Sequence, residues 1–367
     1  MRILQILQRP QRRGAEIFAA QLAQNLTEQG HKIKLVYLFP GADTLPFKGQ
    51  RIHLYASKSN RFWDMYTWWK IARLVRDFKP DIVQANAGDT LKYAGLSRFF
   101  FRWKTPLVFR NANLISGFMD SQPKRIFYRL LLSQVHSVAS VSELCKQDFQ
   151  GVFGWKKPIF HLPIGTKFSS HKLGLPVDLE NQLGANPFLI HIGSFVPEKN
   201  HAGLLRIFRR LNKLFPSLRL VLCGDGPLRT KIEDQISPEI IILGSRQDIN
   251  TILPHAKALL LPSLIEGLPG VILEAMASKV PVIAYDTGGV SEVVIHGQTG
   301  FLIPIGDESQ FAETLAEKVL AQRADLFSLT ENAFNLVVDR YSIESVSDQF
   351  EKFYLNLLNG SDTNSDS

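Results

Sequence analysis

Cysteine is almost missing from this chain. Two residues in 367, Cys145 and Cys223, stand far apart with no metal-type spacing near either. That excludes a disulfide-stapled scaffold and a zinc framework, and a reduced, cytosolic protein is expected. Long apolar runs are missing as well. No stretch approaches the roughly 20 apolar residues that cross a bilayer. The run inside MRILQILQRPQRRG is too short for a signal peptide and leads into charge rather than a cleavage site. Acidic residues are scarce in one half only: residues 1–170 hold 26 Lys and Arg against 10 Asp and Glu, and residues 171–367 hold 16 against 24. The halves therefore carry +16 and −8, within a total of +8. A basic half joined to an acidic one implies that the first half meets something anionic: a nucleic acid, an anionic membrane surface or a phosphorylated acceptor.

What is present is a chain long enough for two domains. At 45% hydrophobic and 21% charged residues, order is the default, and only GSDTNSDS from Gly360 reads as a loose tail. The opening RILQIL is a buried strand, EIFAAQLAQNLTEQG a helix that stops at Gly30, and HKIKLVYLF a second strand. PDIVQAN, TPLVFRNAN and SVASV continue the strands, and Ser142 caps the helix after the last of them. Between them, FWDMYTWWKIARLVRDF (62–78) and SRFFFRWK (97–104) mix aromatics with Lys and Arg, a composition that suits a helix at a membrane interface. KLGLPVDLENQLGANP is polar and weakly periodic, a linker over 171–186. FLIHIG, LRLVLCGDGP, EIIILG, HAKALLLPS, VPVIAYD and GFLIPI then restart the alternation. That rhythm predicts α/β domains with doubly wound parallel sheets at 1–170 and 187–340. An aromatic-striped helix (Tyr341, Phe350, Phe353, Tyr354) follows at 341–358, and a tail at 359–367.

The stretch that organises the second half is Glu266–Met276, EGLPGVILEAM. An apolar run ending at Pro262 and Ser263 precedes it, and good helix formers follow Gly270. Glu266 is thus expected on a loop at the carboxyl end of a strand, and Glu274 one turn into the next helix. A Gly-rich turn opening a helix offers unpaired N–H groups and the positive end of the helix dipole.

The string resembles the Glu-x7-Glu signature of family 4 retaining glycosyltransferases. Those enzymes have the GT-B architecture, two Rossmann-like doubly wound domains facing a central cleft, with a last helix that crosses back to the first domain. The resemblance implies that Glu266 orients the donor sugar and Glu274 the nucleotide ribose. Gly193, Ser194 and Lys199 match the family's Gly-x5-Lys loop, with Lys199 the cation for a diphosphate. Ser194 stands where relatives have arginine. Gly224 and Gly226 match a Gly-x-Gly-Pro turn bordering the nucleotide, and Arg246 lies in GSRQDI, where the base is expected. There Asp248 reads as a helix cap. Gly267, Leu268, Gly270 and Val271 would present backbone to the diphosphate, and Gly288 and Gly289 bring backbone near the same cleft. Gly14 takes the place of a paired-glycine turn. On the acceptor side Arg110, Asn111 and Asn113 end a strand where many relatives have a histidine, and after Ser142 only Gly165 matches the family's Asn-Gly-x-Asp.

The reading is a retaining, metal-independent hexosyl- or N-acetylhexosaminyl-transferase with Glu266 and Lys199 as catalytic residues and no cofactor. Its donor is a nucleoside diphosphate sugar, UDP favoured over GDP. Its acceptor is a lipid-linked or lipopolysaccharide-type saccharide of bacterial surface polysaccharide synthesis, met by a peripheral protein on the inner face of the membrane. Alternatives are a catalytically degenerate GT-B scaffold, a basic anion- or nucleic-acid-binding protein, and a sugar-nucleotide epimerase. No nucleic-acid motif is recognised, and no nucleic acid is expected as partner.

Overall fold

Apolar runs closed by turn residues become strands here, and the amphipathic stretches between them become the helices that cover two sheets. The computed structural model describes residues 1–41, 44–57, 63–168, 174–321 and 325–360. Phe62, the first linker positions 171–173 and the tail from 361 lie outside the described residues. The chain forms two units, Met1–Gly165 with Ile343–Ser367, and Thr166–Ser342.

The first unit runs β1 (Arg2–Leu7), α1 (Gly14–Glu28), β2 (Lys32–Tyr37), β3 (Gln50–His53), α2 (Met65–Phe78), β4 (Ile82–Ala85) and α3 (Gly88–Phe101). It continues with β5 (Leu107–Asn111), α4 (Gln122–Ser133), β6 (Ser137–Ser140), α5 (Glu143–Phe153) and β7 (Ile159–His161). All pairs are parallel, in the order β3-β2-β1-β4-β5-β6-β7. This is a doubly wound sheet whose direction of winding reverses between β1 and β4. The caps are local chemistry. Asp64 accepts the Thr67 N–H at 3.0 Å to start α2, and Ser142 accepts the Cys145 N–H at 3.1 Å to start α5, as its sequence implies. Gly30 follows α1 at φ +92°.

The second unit opens with α6 (Val177–Leu183), in the stretch expected as linker; Leu179 and Leu183 are buried and hold it to the unit. Then come β8 (Phe188–Ile192), α7 (His201–Leu214), β9 (Arg219–Cys223), α8 (Arg229–Glu233), β10 (Ile240–Gly244) and α9 (Ile249–Ile252). β11 (Leu259–Leu261), α10 (Gly270–Ala277), β12 (Val282–Tyr285), β13 (Phe301–Ile303), α11 (Glu308–Thr314) and α12 (Asp325–Tyr341) complete it. The order β10-β9-β8-β11-β12-β13, again all parallel, repeats the winding of the first sheet, with its reversal between β8 and β11. Finally α13 (Ile343–Leu358) returns to the first unit. It packs on α1 through Phe350, 5.9 Å from Phe18 ring to ring, and its buried Tyr354 hydroxyl donates to Gln84 Oε1 at 2.6 Å.

Candidate active site

In an open α/β sheet the loops on either side of the winding reversal splay apart and leave a crevice at the strands' carboxyl ends. In the second unit those loops follow β8 and β11. They carry Gly193–Asn200 and Pro262–Pro269, the two segments singled out by sequence. The Leu264 N–H donates to the Glu198 carbonyl at 2.8 Å, and Asn200 Nδ2 donates to the Pro262 carbonyl at 3.1 Å. Between these ties, Lys199 Nζ forms an ion pair with Glu266 Oε1. Glu266 is buried and Lys199 mostly so. The two residues assigned catalytic roles, 67 positions apart, therefore meet.

Glycines let the surrounding backbones close on this pair. Gly224 sits at φ +147°, and a Cβ there would lie 1.9 Å from the Gly193 carbonyl oxygen. A Cβ on Gly226 would lie 2.6 Å from the Phe195 carbonyl. Gly288, at φ +56°, approaches so closely that a Cβ would lie 1.9 Å from the Glu266 carbonyl oxygen, while Gly289 N–H donates to Gly267. Thr287 Oγ1 donates to Leu264 O at 3.0 Å. The loop after β12 thus fixes the Glu266 backbone from below. Leu268 is buried, and α10 begins at Gly270 with no side chain capping its N-terminus. Its first amides, Gly270 and Val271, are left for a ligand. Glu274 lies one turn on, half-buried.

Two histidines that carry no motif complete this neighbourhood. His191 on β8 and His201 at the start of α7 are buried edge to face, 4.8 Å between ring centres. Facing the Leu260 carbonyl at 2.8 Å, His191 Nδ1 carries the proton; its Nε2 has no hydrogen-bond partner among the described residues and lies 3.2 Å from where a Gly193 Cβ would stand. Burial, then the neighbouring His201 and Lys199, hold His191 well below the usual range, and burial and Lys199 push His201 down to about 4. Both rings are therefore neutral near pH 7. Ser263 Oγ is likewise buried without a partner among the described residues.

Arg246 is held by ion pairs that its motif did not announce. Its guanidinium is shared between Asp178 of α6 at 2.6 Å and Asp248 at 2.6 Å, which commits its N–H edges and fixes its plane. Asp248 stands at the N-cap position of α9, as its sequence implies, but the cap is made by its backbone carbonyl, which accepts the Thr251 N–H at 2.9 Å; its carboxylate goes to Arg246, because a full charge outcompetes a backbone amide.

In the first unit, Gly14 is exposed at the first position of α1, with nothing within 4 Å of an added Cβ. Asn111 is buried, its amide donating to Ser140 Oγ at 3.3 Å and to the Cys145 carbonyl at 3.1 Å. Arg110 is buried too. Its guanidinium lies 4.3 Å from the Phe18 ring centre, none of its nitrogens has a partner among the described residues, and burial pushes it down to about 10. Of the three acceptor-side residues, Asn113 is the exposed one.

Comparison with known proteins follows the same division. Residues 12–167 match the family model described as Glycosyltransferase Family 4, and residues 180–355 the model described as Glycosyl transferases group 1. The chain is 29% identical over 200 residues to 2-deoxystreptamine N-acetyl-D-glucosaminyltransferase of Niallia circulans, covering 52% of this chain and 51% of that one. It is 27% identical over 175 residues to UDP-Gal:alpha-D-GlcNAc-diphosphoundecaprenol alpha-1,3-galactosyltransferase of Escherichia coli, covering 46% and 45%. The chain thus matches about half the length of these curated relatives. Among solved structures, Anabaena HepE in complex with UDP and glucose aligns with a TM-score of 0.81 at 19% identity, over 97% of this chain and 100% of that one. That likeness carries the fold, which is of the GT-B type.

Proposed function

The chain belongs to the family 4 glycosyltransferases, and from that premise we propose that it transfers a sugar from a nucleoside diphosphate to an acceptor hydroxyl with retention of configuration. The observation that carries the reading is the Lys199–Glu266 ion pair at the winding reversal, beside the uncapped start of α10. A departing diphosphate needs positive charge, and Lys199 with the amides of Gly270 and Val271 supplies it without a metal or cofactor. When the donor binds, the ammonium turns to the phosphate. Glu266 is then left to accept from sugar hydroxyls, and Glu274 from the ribose. The bond from the anomeric carbon to the phosphate oxygen breaks as the acceptor oxygen adds from the same face. The acceptor's proton passes to the departing phosphate oxygen, so no protein nucleophile is needed.

UDP is the favoured nucleotide, in line with the UDP complexes of HepE. The acceptor we assign is a saccharide on a lipid diphosphate or a lipopolysaccharide core, used in surface polysaccharide synthesis at the inner face of a membrane. The +16 charge of residues 1–170 and the diphosphoundecaprenol acceptor in the name of the E. coli relative support this. The test is thermal stabilisation by UDP, GDP, ADP and CMP, since a ligand of the native state raises the melting temperature by mass action. A shift with UDP alone that Glu274→Ala abolishes is expected. No shift with any nucleotide would favour an inactive scaffold, the alternative raised by Ser194 in the arginine position.

A further inference from the structure

α2 and α3 of the first unit present an outer face whose large side chains are left in water. Trp63 just ahead of α2 is 85% exposed, Tyr66 64% and Trp69 40%, and the last turn of α3 adds Phe99, Phe100 and Phe101. Tyr66 and Trp69, three positions apart, share a helix face and stack at 5.9 Å. Phe100 stacks at 5.3 Å on the buried Trp68 ring, joining the aromatics of both helices into one patch. The two helices that carry it are tied together: Ser97 Oγ donates to the Trp68 carbonyl at 2.7 Å and accepts from Trp103 Nε1 at 3.1 Å.

Cations are interleaved with these rings. Lys70 Nζ lies 4.3 Å from the Tyr66 ring centre and the Arg73 guanidinium 5.5 Å from that of Trp69, while Arg102 and Lys104 follow α3. Asp64 accepts from the Thr67 N–H and hydroxyl and Asp89 from Lys92 and Gln8, while Asp77 is shared between Arg76 and Arg73 and so offsets part of the charge here. Residues 63–104 still hold eight Lys and Arg against four Asp, so the aromatic face belongs to a net positive segment. A second copy would set the same cations against each other. Aromatic rings with cations along their edges instead match the boundary of a bilayer, rings at the level of the headgroups and charges at the phosphates. No described helix is long and apolar enough to cross a membrane.

We propose that the α2–α3 face docks the protein on an anionic lipid bilayer. This deepens, and rests on, the assignment of a lipid-borne acceptor. The experiment uses the full chain with vesicles of phosphatidylglycerol and phosphatidylcholine, and of phosphatidylcholine alone. Co-flotation with the anionic vesicles at low salt, weakened by salt, is expected, with tryptophan emission quenched by brominated acyl chains. The double substitution Trp63→Ser/Trp69→Ser and, separately, Arg73→Glu are each expected to lower the partition constant tenfold or more at an unchanged melting temperature. Absence of flotation, or flotation that neither variant weakens, overturns the docking face. So does a size-exclusion profile in which the double variant turns an oligomer into a monomer, which would assign the patch to a protein contact. UDP stabilisation is read in parallel. Its survival without vesicle binding removes only the docking face, and its absence with vesicle binding removes the transferase reading instead.

Discussion

Lys199 and Glu266 neutralise each other across 67 residues of sequence, so changing one strands the other. Lys199→Met leaves a carboxylate with little access to water and is expected to cost about 2 kcal/mol in urea unfolding, below the range for fully buried pairs because Lys199 is partly solvated. Lys199→Met/Glu266→Gln is expected to recover at least half of that loss. All these variants should reduce transfer about 10²- to 10³-fold. A double variant no more stable than the single would show that the pair does not hold the loops. His201 provides a pH signature. Its folded pKa of about 4 lies below the usual value of about 6.5, so between these the unfolded chain binds more protons and stability rises with pH. Moving from pH 7 to pH 5 is therefore expected to cost about 2 kcal/mol through this group, and His191 adds in the same direction. The test is urea unfolding at both pH values, where His201→Gln should flatten the difference; an equal loss in that variant would assign it to other groups. At this scale the sequence made Glu266 and Lys199 legible because each sits in a motif. His191 inside an apolar strand has none, and the Arg246–Asp178 pairing joins residues 68 apart with nothing local to announce it.

Glycines at the turns between elements separate structural need from ligand approach. Gly288→Ala forces a β-carbon onto the Glu266 carbonyl at a left-handed φ, and a loss of about 3 kcal/mol is expected from strain and overpacking together. Gly14→Ala meets nothing within 4 Å and should change stability by less than about 0.5 kcal/mol. Calorimetric titration with the nucleotide sugar then decides what Gly14 does: weaker binding at unchanged stability marks a contact, and unchanged binding marks a plain turn. Most elements could be read from the sequence because each interior strand is a continuous apolar run, as in RILQIL or ALLLP. The edge strands of the second sheet, in EIIILG and GFLIPI, are apolar enough to be read as well, but those of the first sheet could not be. β3 is largely exposed and β7 has three residues, so neither has the buried faces that make a pattern. The segment expected as a linker became α6 because two leucines four apart, Leu179 and Leu183, suffice to bury one short helix. Polar composition around them hid that spacing.

On the scale of the whole chain, the first unit begins at Met1 and is completed by the last described helix, with the second unit inserted between. The aromatic stripe of the C-terminal segment signalled a buried helix, but no local pattern names the sheet it covers. The structure supplies that partner. Tyr354 reaches Gln84 in the middle of the sheet, Phe353 lies 4.9 Å from Phe160 on β7, and Phe350 meets the α1 ring of Phe18, which in turn lies over Arg110. Removing α13 would strip the cover from several apolar rings on one face, Phe18 and Phe160 among them, and discard the burial of Phe350, Phe353 and Tyr354, a loss comparable with typical net domain stability. A chain ending at Ser342 is expected to lose amide-exchange protection across β1, β4 and β5 while β8, β9, β11 and β12 keep theirs. Tyr354→Phe, which leaves only Gln84 Oε1 without its donor, should cost about 1–3 kcal/mol in the first unit alone. Protection lost equally in both sheets would mean that the units unfold as one. Protection kept in both would mean that α13 covers a sheet already stable without it, and that the return of the chain to its first unit serves some purpose other than folding it.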